Sequence, residues 1–533
     1  MVKNRKKYEN LVILVLLASL FFLYSVNYTK GALGNDSPGY LYVADRLANS
    51  LPVTYEEPLV PLAINLTGNI SSGEAVTPHF AYKILNYESG LISPKIQIGF
   101  PLYLSFMQVF FGQQSIYLFS MVLIIISILL AITIFQNLER KDSFRLILLV
   151  LLAFNINFWS TAISEPMTEI TSIFFITLAF FLEIKYFKKS SIPIISLAGF
   201  ILGIALWIKI TNILFFPLFI YVIFIKEKKI ISKHLGYLFI FIAIGFLSIY
   251  LISPDFANIG VKKSTELENF VSYADTKHFS GLSLQNFYDN SGKYKRGYGS
   301  FYWYIYLLKN KLILQPALIL IILGMVYLLY TKRAFILLGI ILAISPVILF
   351  YSLWVNPYDR YIFPTIIPLS FLSLFGVIFV YKKIKKLNKI PRIMSISTLI
   401  LLFIILNLIT FTTISGWVSN SAVPSRNYVN EETLQAITEF SSNIEKENSI
   451  FIFSKGLFTQ ATFFEVHTHV KSIKVSSQDV IKFIESNDFK KIYKNTYLFV
   501  SEEDMNDYKA ENLNNCEQKE EITTNYKIKI FKC

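Results

Sequence analysis

Residues 31–50 read GALGNDSPGYLYVADRLANS, and the sense of the whole chain hangs on them. They follow a basic start, with Lys3, Arg5, Lys6 and Lys7, and an apolar run from about Leu11 to Val26. Basic residues stay on the inner side of a membrane. The N-terminus is therefore placed inside, and Asp36 falls just past the first crossing, on the outer face. The run is read as an uncleaved span; a cleaved leader is the alternative, and it would leave the later topology unchanged. Pro38 follows, and then a short helix-like run with Tyr40, Ala44, Leu47 and Ala48 on one side.

The rest of the chain extends the pattern. Of its 533 residues, 54% are hydrophobic and 16% charged, far too apolar for a soluble protein of this length. Spans are expected near about residues 115–137, 144–162, 166–185, 192–208, 210–225, 235–252, 311–330, 334–353, 362–380 and 393–415. Between them stand basic patches: Arg140/Lys141/Arg145, Lys185/Lys188/Lys189, Lys226/Lys228/Lys229/Lys233, Lys332/Arg333, and the run from Lys382 to Arg392. With the first span this makes about eleven crossings, puts every patch inside and leaves the C-terminus outside. The net charge of +14 is thereby a topology signal, and nucleic acid is excluded as a partner.

The expected fold class is an α-helical multi-pass membrane protein with a small C-terminal extracytoplasmic α/β domain. Residues 1–415 form the membrane domain, with outer loops at 27–97 and 253–310; residues 416–533 form the tail. Within the first loop, pieces near Gly39–Ser50 and Pro78–Tyr87 are amphipathic and expected to lie along the membrane surface. Ser93–Gly112 carries Pro, Gly and Lys, and reads as a bent or re-entrant segment. In the tail, Glu431–Ser442 and Gln478–Ser486 read as helices, and Ser449–Phe453, Thr496–Val500 and Tyr526–Phe531 as strands. Cys516 and Cys533 form one disulfide if the tail faces an oxidising compartment, or are two free thiols. His467 and His469, read as alternate residues of a strand, are surface groups without a third metal ligand in view.

Ionisable groups at a membrane boundary are costly to keep there, so each is a site candidate. The outer-face set is Asp36, Lys95, Glu165, Glu169, Lys209, Asp359 and Arg360. Asp36 suits a helix cap before Pro38, and equally a general base that takes a proton from an attacking hydroxyl. Lys95 and Arg360 suit phosphate oxygens, as a point charge and a bidentate fork; the alternatives are interfacial snorkelling and, for Arg360, a pair with Asp359. Lys209 breaks the apolar run ALWIKITNILFF with no outer carboxylate near it in sequence, so it calls for water or an anion. Glu165 stands before Pro166, where it either favours the dipole of the following span or faces the same cavity as Asp36. Tyr40 and Tyr361 complete the expected cavity beside Glu165, on the acceptor side. There is no phosphate loop, HExxH or CxxC. No metal ligands are assigned, and a divalent cation at the phosphate is left open.

At these residues the chain resembles the C-type (GT-C) integral-membrane glycosyltransferases, near the protein O-mannosyltransferase and aminoarabinose-transferase branch. GNDSPGYLYVADRL resembles their first outer loop with its catalytic aspartate, and PKIQIGFPLYLSFMQVFFG the Pro/Gly-rich approach to the second span. ISEPMTEITSIFFITLAFFL, followed by LAGFILGIALWIKITNILFFPL, resembles the Ser-Glu hairpin and the Gly-x-x-x-Gly span with a basic residue after it. DRYIFPTIIPL resembles the Arg-Tyr approach to a late span. The likeness covers Met1 to Ser415. It implies a polyprenyl-phosphate sugar donor, a glycan, lipid or protein acceptor, Asp36 as base, and Lys95 and Arg360 at the leaving phosphate. The second acidic residue that many relatives carry beside the first is here Ser37, and Lys209 stands where relatives often have arginine. No Trp-Trp-Asp signature occurs, which disfavours the oligosaccharyltransferase branch. A transporter or flippase of lipid-linked saccharides, and a membrane protein whose outer domain binds a partner, are the alternative functions. The first predicts repeated halves and mid-membrane charges, which the sequence lacks; the second predicts no need for Asp36.

Overall fold

The computed structural model describes residues 2–26, 37–68, 72–73, 76–77, 82–94, 96, 98–139, 145–153, 167–229, 232–252, 315–353, 359–385, 431–454, 461–475, 477–507, 516–523 and 527–533. The chain divides into two compact units. One comprises Met1–Asn27, Ser120–Ala162 and Thr168–Ser419; the other comprises Tyr28–Phe119, Ile163–Met167 and Asn420–Cys533. All described strands fall in the second, so we name them the helical unit and the sheet unit.

The helical unit is built from the apolar runs. Five described helices are long and apolar enough to cross a membrane: Ser115–Glu139, Thr168–Lys189, Ile210–Glu227, Ala334–Ser352 and Tyr361–Ile384. Ile192–Ile208, Lys233–Ile252 and Gln315–Tyr330 add further apolar helices at expected positions. The expected span at 393–415 lies outside the described residues. With no water to satisfy a backbone in lipid, an apolar run of this length has no stable form but a helix.

Two crossings hold the helices at backbone distance. A Cβ at Gly203 would run into the Ile242 carbonyl, and one at Gly376 into the Leu320 carbonyl. Small residues thus let Ile192–Ile208 close on Lys233–Ile252, and Gln315–Tyr330 on Ile366–Ile384. Members of the basic patches bond at helix ends: Arg145 donates to Asn10 at 3.0 Å, Lys188 to Asn137 at 2.7 Å, and Arg333 pairs with Glu139.

The sheet unit joins the segment after the first apolar helix to the tail. Strands β1 (Tyr55–Glu56), β2 (Tyr82–Asn86) and β3 (Leu91–Pro94) form an antiparallel sheet in the order β1-β3-β2. The piece expected to lie amphipathically along the membrane near Pro78–Tyr87 is thus, over its described part, strand β2; residues 78–81 lie outside the described residues. Alternation of Tyr82, Ile84 and their polar neighbours fits a strand as well as a short helix face, and pairing with β3 decides it. Helix Ser37–Ala48 forms where the sequence places it but does not lie exposed on a surface. It buries Leu41, Tyr42, Val43 and Ala44 against helices Gly99–Phe111 and Ala461–Thr468. Gly99–Phe111 is 13 residues. At 1.5 Å per residue it spans about 20 Å, short of a bilayer core of about 30 Å.

The tail sheet has the order β5-β4-β6-β8-β7, with β4 Ser449–Phe453, β5 Lys471–Lys474, β6 Asn495–Ser501, β7 Glu517–Thr523 and β8 Lys527–Lys532. β4 lies parallel to β5 and β6, and β8 antiparallel to β6 and β7. The central SIFIF of β4 is buried throughout, as parallel strands covered on both faces require. β7, EQKEEIT, is mostly exposed and charged, which suits a sheet edge. Cys516 and Cys533 are bonded to each other across the β7–β8 pair. The histidines are not a strand pair: His467 is in helix Ala461–Thr468 against Phe463, and His469 follows it with φ 56°.

Candidate functional site

In the helical unit, charge gathers at the break after helix Ile192–Ile208. Lys209 adopts an extended backbone there, and a 3-10 turn, Ile210–Phe215, follows. Asn212 stabilises the break. Its side chain, on a 2% exposed residue, donates to the Ala205 carbonyl at 2.7 Å and to Ser172 Oγ at 3.2 Å.

Lys209 Nζ reaches Glu169 Oε1 at 2.9 Å, with the Glu169 side chain 3% exposed. The lysine therefore has a carboxylate, supplied from the first turn of the Thr168–Lys189 helix. Thr168 Oγ1 donates to the other oxygen of Glu169 at 3.2 Å. Two aromatic faces complete the setting. Tyr351 and Tyr361 stack at 4.6 Å, and Lys209 Nζ lies 5.0 Å from the Tyr361 ring and 5.9 Å from Tyr351. The Tyr351 hydroxyl donates to Thr211 Oγ1 at 2.9 Å. An ammonium over π faces in an apolar setting is held strongly, and its charge is poorly screened. Such a group can attract a phosphate, with Glu169 as the competing anion.

Of the sequence candidates, Lys209 and Tyr361 are thus brought together. Asp36, Lys95 and Glu165 lie outside the described residues. Arg360 is described by its backbone alone, in the turn Asp359–Thr365 that also carries Tyr361. Tyr40 belongs to the sheet unit, where it is half-buried with its ring edge-on to Phe100 at 5.1 Å. Among the described residues no group of three His, Cys, Asp or Glu could hold a metal ion.

The sheet unit holds a second buried cluster that sequence reading missed. Gly90, at φ 72°, closes the β2–β3 hairpin against Glu57, whose amide donates to the Gly90 carbonyl at 2.9 Å. A Cβ there would meet the Glu57 carbonyl. The Glu57 side chain, 3% exposed, pairs with Lys471 Nζ at 2.6 Å, and Glu465 Oε1 lies 3.7 Å from the same nitrogen. Glu465 Oε2 accepts the Ser472 amide at 3.0 Å. Burial opposes charge on Lys471, but Glu465 and Glu57 outweigh it and hold the ammonium well above the usual lysine range.

Beside this group the Tyr42 and Tyr55 hydroxyls bond at 2.9 Å, and the Arg46 guanidinium lies 3.7 Å over the Tyr55 ring. Burial pushes Tyr55 up to about 12, and Tyr42 and Tyr82 well above the usual tyrosine value. No local pattern marks Glu57, Glu465 or Lys471. Thr211 and Asn212 were detectable as polar residues inside an apolar run.

The fold is of the GT-C type. Residues 100–252 match the family model described as dolichyl-phosphate-mannose-protein mannosyltransferase. The fold is similar to that of ArnT from Cupriavidus metallidurans bound to undecaprenyl phosphate, at TM-score 0.56 and 9% identity, covering 98% of this chain and 97% of that one. It is also similar to the Archaeoglobus fulgidus oligosaccharyltransferase in its apo form, at TM-score 0.54 and 12% identity over 94% of this chain and 70% of that one. The archaeal oligosaccharyltransferase AglB from Archaeoglobus fulgidus, in complex with an inhibitory peptide and a dolichol-phosphate, gives TM-score 0.51 and 10% identity, over 93% of this chain and 70% of that one. No curated protein is significantly similar to the chain in sequence.

Proposed function

We propose that the protein is a membrane glycosyltransferase that moves a sugar from a polyprenyl-phosphate donor to an acceptor hydroxyl at the outer face of the cytoplasmic membrane. The observation that carries this reading is the near end-to-end likeness to ArnT bound to undecaprenyl phosphate. The Lys209 setting supports it, because a half-buried ammonium among tyrosines suits the phosphate of a lipid-borne donor. The bonded Cys516 and Cys533 support a tail in an oxidising compartment, and hence an outer C-terminus and an inner N-terminus.

In this reading the acceptor oxygen attacks the anomeric carbon as the bond from that carbon to the phosphate oxygen breaks. Asp36 takes the acceptor's proton, and polyprenyl phosphate leaves with the bonding pair. Lys95, Lys209 and Arg360 meet the charge that develops on the phosphate, while Tyr40, Glu165 and Tyr361 stand on the acceptor side. Glu169 sets the orientation of Lys209, as a carboxylate behind a cation does.

The test is sugar transfer in membranes from a radiolabelled polyprenyl-phosphate sugar, comparing wild type with Asp36→Asn. The substitution keeps size and most capping ability but removes the base. Transfer is expected to fall about 10²- to 10⁴-fold at unchanged protein level. Unchanged transfer would reduce Asp36 to a helix cap and overturn its role as base.

A further inference from the structure

Helix Gly99–Phe111, in the sheet unit, has two apolar faces, and one of them is bare. The covered face buries Phe100, Leu104 and Met107, and the helix packs against Ser37–Ala48. On the other face Phe106, Val109, Phe110 and Phe111 are 52% to 65% exposed. Phe106, Val109 and Phe110 recur at i, i+3 and i+4, which is one stripe of a helix. The Phe106 and Phe110 rings meet at 4.4 Å. Gln108, the polar residue among them, donates to Asp45 at 2.9 Å and so stays off the bare stripe. Single exposed apolar side chains are ordinary; four together on a 13-residue helix form a patch that calls for a cover.

Charge, continuity and length say what that cover is. No charged residue stands between Lys95 and Glu139. A helix that turned this stripe to water would carry charges beside it. The patch also runs on into Ser115–Glu139, a helix long and apolar enough to cross a membrane. The Phe111 ring stacks on Phe119 of that helix at 6.3 Å, and Tyr103 lies 5.9 Å from the same ring. The joint between the two helices is short and bonded. Gly112 turns it with φ 82° while its amide donates to the Gln108 carbonyl at 2.9 Å, and Ser115 Oγ donates to the Gly112 carbonyl at 2.6 Å. A helix of about 20 Å is too short to cross a core of about 30 Å, so it fits within one leaflet.

We propose that helix Gly99–Phe111 is inserted in one leaflet of the bilayer, with Phe106, Val109, Phe110 and Phe111 among the lipid acyl chains. The sheet unit then carries a membrane anchor of its own. The insertion removes apolar rings from water and leaves no backbone group unsatisfied, because the segment is helical. The inference goes beyond the proposed function and stands whether or not the protein transfers sugar.

The test is nitroxide accessibility in the full-length protein, reconstituted in vesicles of phosphatidylcholine and phosphatidylglycerol. The native cysteines are bonded to each other, so a single introduced cysteine takes the label. Phe110→Cys is compared with two references. Leu129→Cys lies on the exposed side of Ser115–Glu139, and Lys491→Cys replaces a side chain of the sheet unit that is 76% exposed. Oxygen concentrates in hydrocarbon and a nickel chelate stays in water. Phe110→Cys is expected to meet oxygen more than chelate, as Leu129→Cys does, and so to reverse the order seen at Lys491→Cys. The vesicles hold no polyprenyl lipid, so an oxygen-rich reading comes from acyl chains and not from a bound donor tail.

A preference for the chelate overturns the proposal, because the stripe then faces water. Low access to both reagents overturns it as well, because the stripe is then covered by protein; magnetic coupling between labels would identify that cover as a second copy of the chain. If Phe110→Cys yields no folded protein, Val109→Cys is read by the same criteria.

Discussion

The two units each bury a lysine against a glutamate, and the settings differ. Lys471 sits between Glu57 at 2.6 Å and Glu465 at 3.7 Å, drawn from two distant parts of the chain. Lys209 meets Glu169 at 2.9 Å and lies over the stacked rings of Tyr351 and Tyr361, at a break between apolar segments. The first lysine faces two negative groups, so its charge is more than matched and its work is to hold chain segments together. The second, among the described residues, meets Glu169 and two π faces at a break in the chain. A buried cation held between two carboxylates from distant segments reads as a fastening; in the function proposed above, one held against π faces at a chain break reads as a site.

The largest expected effect separates fastening from site. Lys471→Met leaves buried carboxylates without a cation and is expected to cost about 3 to 5 kcal/mol of stability. Thermal unfolding or protease resistance of the sheet unit measures it. Lys209→Met, by contrast, is expected to lower kcat/KM with the polyprenyl-phosphate sugar about 10²- to 10³-fold, equivalent to about 3 to 4 kcal/mol of transition-state stabilisation. Lys209→Arg should retain most of the activity. If Lys209→Met destabilises as Lys471→Met does and leaves the turnover of surviving protein intact, the contrast collapses and both lysines are fastenings.

A smaller effect sharpens the same contrast through pH. Burial raises Tyr55 to about 12 and lifts Tyr42 and Tyr82 in the same direction. A group whose folded pKa lies above its unfolded value contributes stability that is complete below the unfolded pKa and is lost as pH rises through the folded one. The sheet unit is therefore expected to lose stability from about pH 10 upward. Each such tyrosine contributes at most about 1.4 kcal/mol per pH unit. Tyrosinate absorbance should rise together with unfolding of this unit. Absorbance that rises at ordinary tyrosine pH while the fold persists would show the cluster to be open to water.

The fold was largely legible because lipid removes alternatives. Runs such as 192–208 and 334–352 carry too little polarity to be anything but helices in a bilayer, whatever they pack against. Strands β4, β6 and β8 were legible for a related reason, since short blocks of aromatic and β-branched residues between turns fit a covered sheet. Strands β5 and β7 were not. KSIK is four residues, and EQKEEIT is nearly all charged, so its place comes from pairing with β8 at an exposed edge. The candidate site was legible in part. Lys209 stood out because a charge in an apolar run has to be accounted for. Its partner Glu169 was noted as a boundary acid, but the pair spans 40 residues and no spacing rule links them.

The sequence by itself determined that the protein is a multi-pass membrane protein rich in apolar helices, that a small sheet-bearing tail follows them, and which boundary charges need an explanation. Those are properties of single segments against their solvent, set by hydrophobicity and local backbone preference. The tertiary structure alone decided that Lys209 is answered by Glu169, that the segment after the first apolar helix and the tail form one unit, and that Lys471 closes on Glu57 across 414 residues. An ion pair forms only when two charges come within about 4 Å, where the interaction is worth its desolvation, and that approach depends on how distant elements pack.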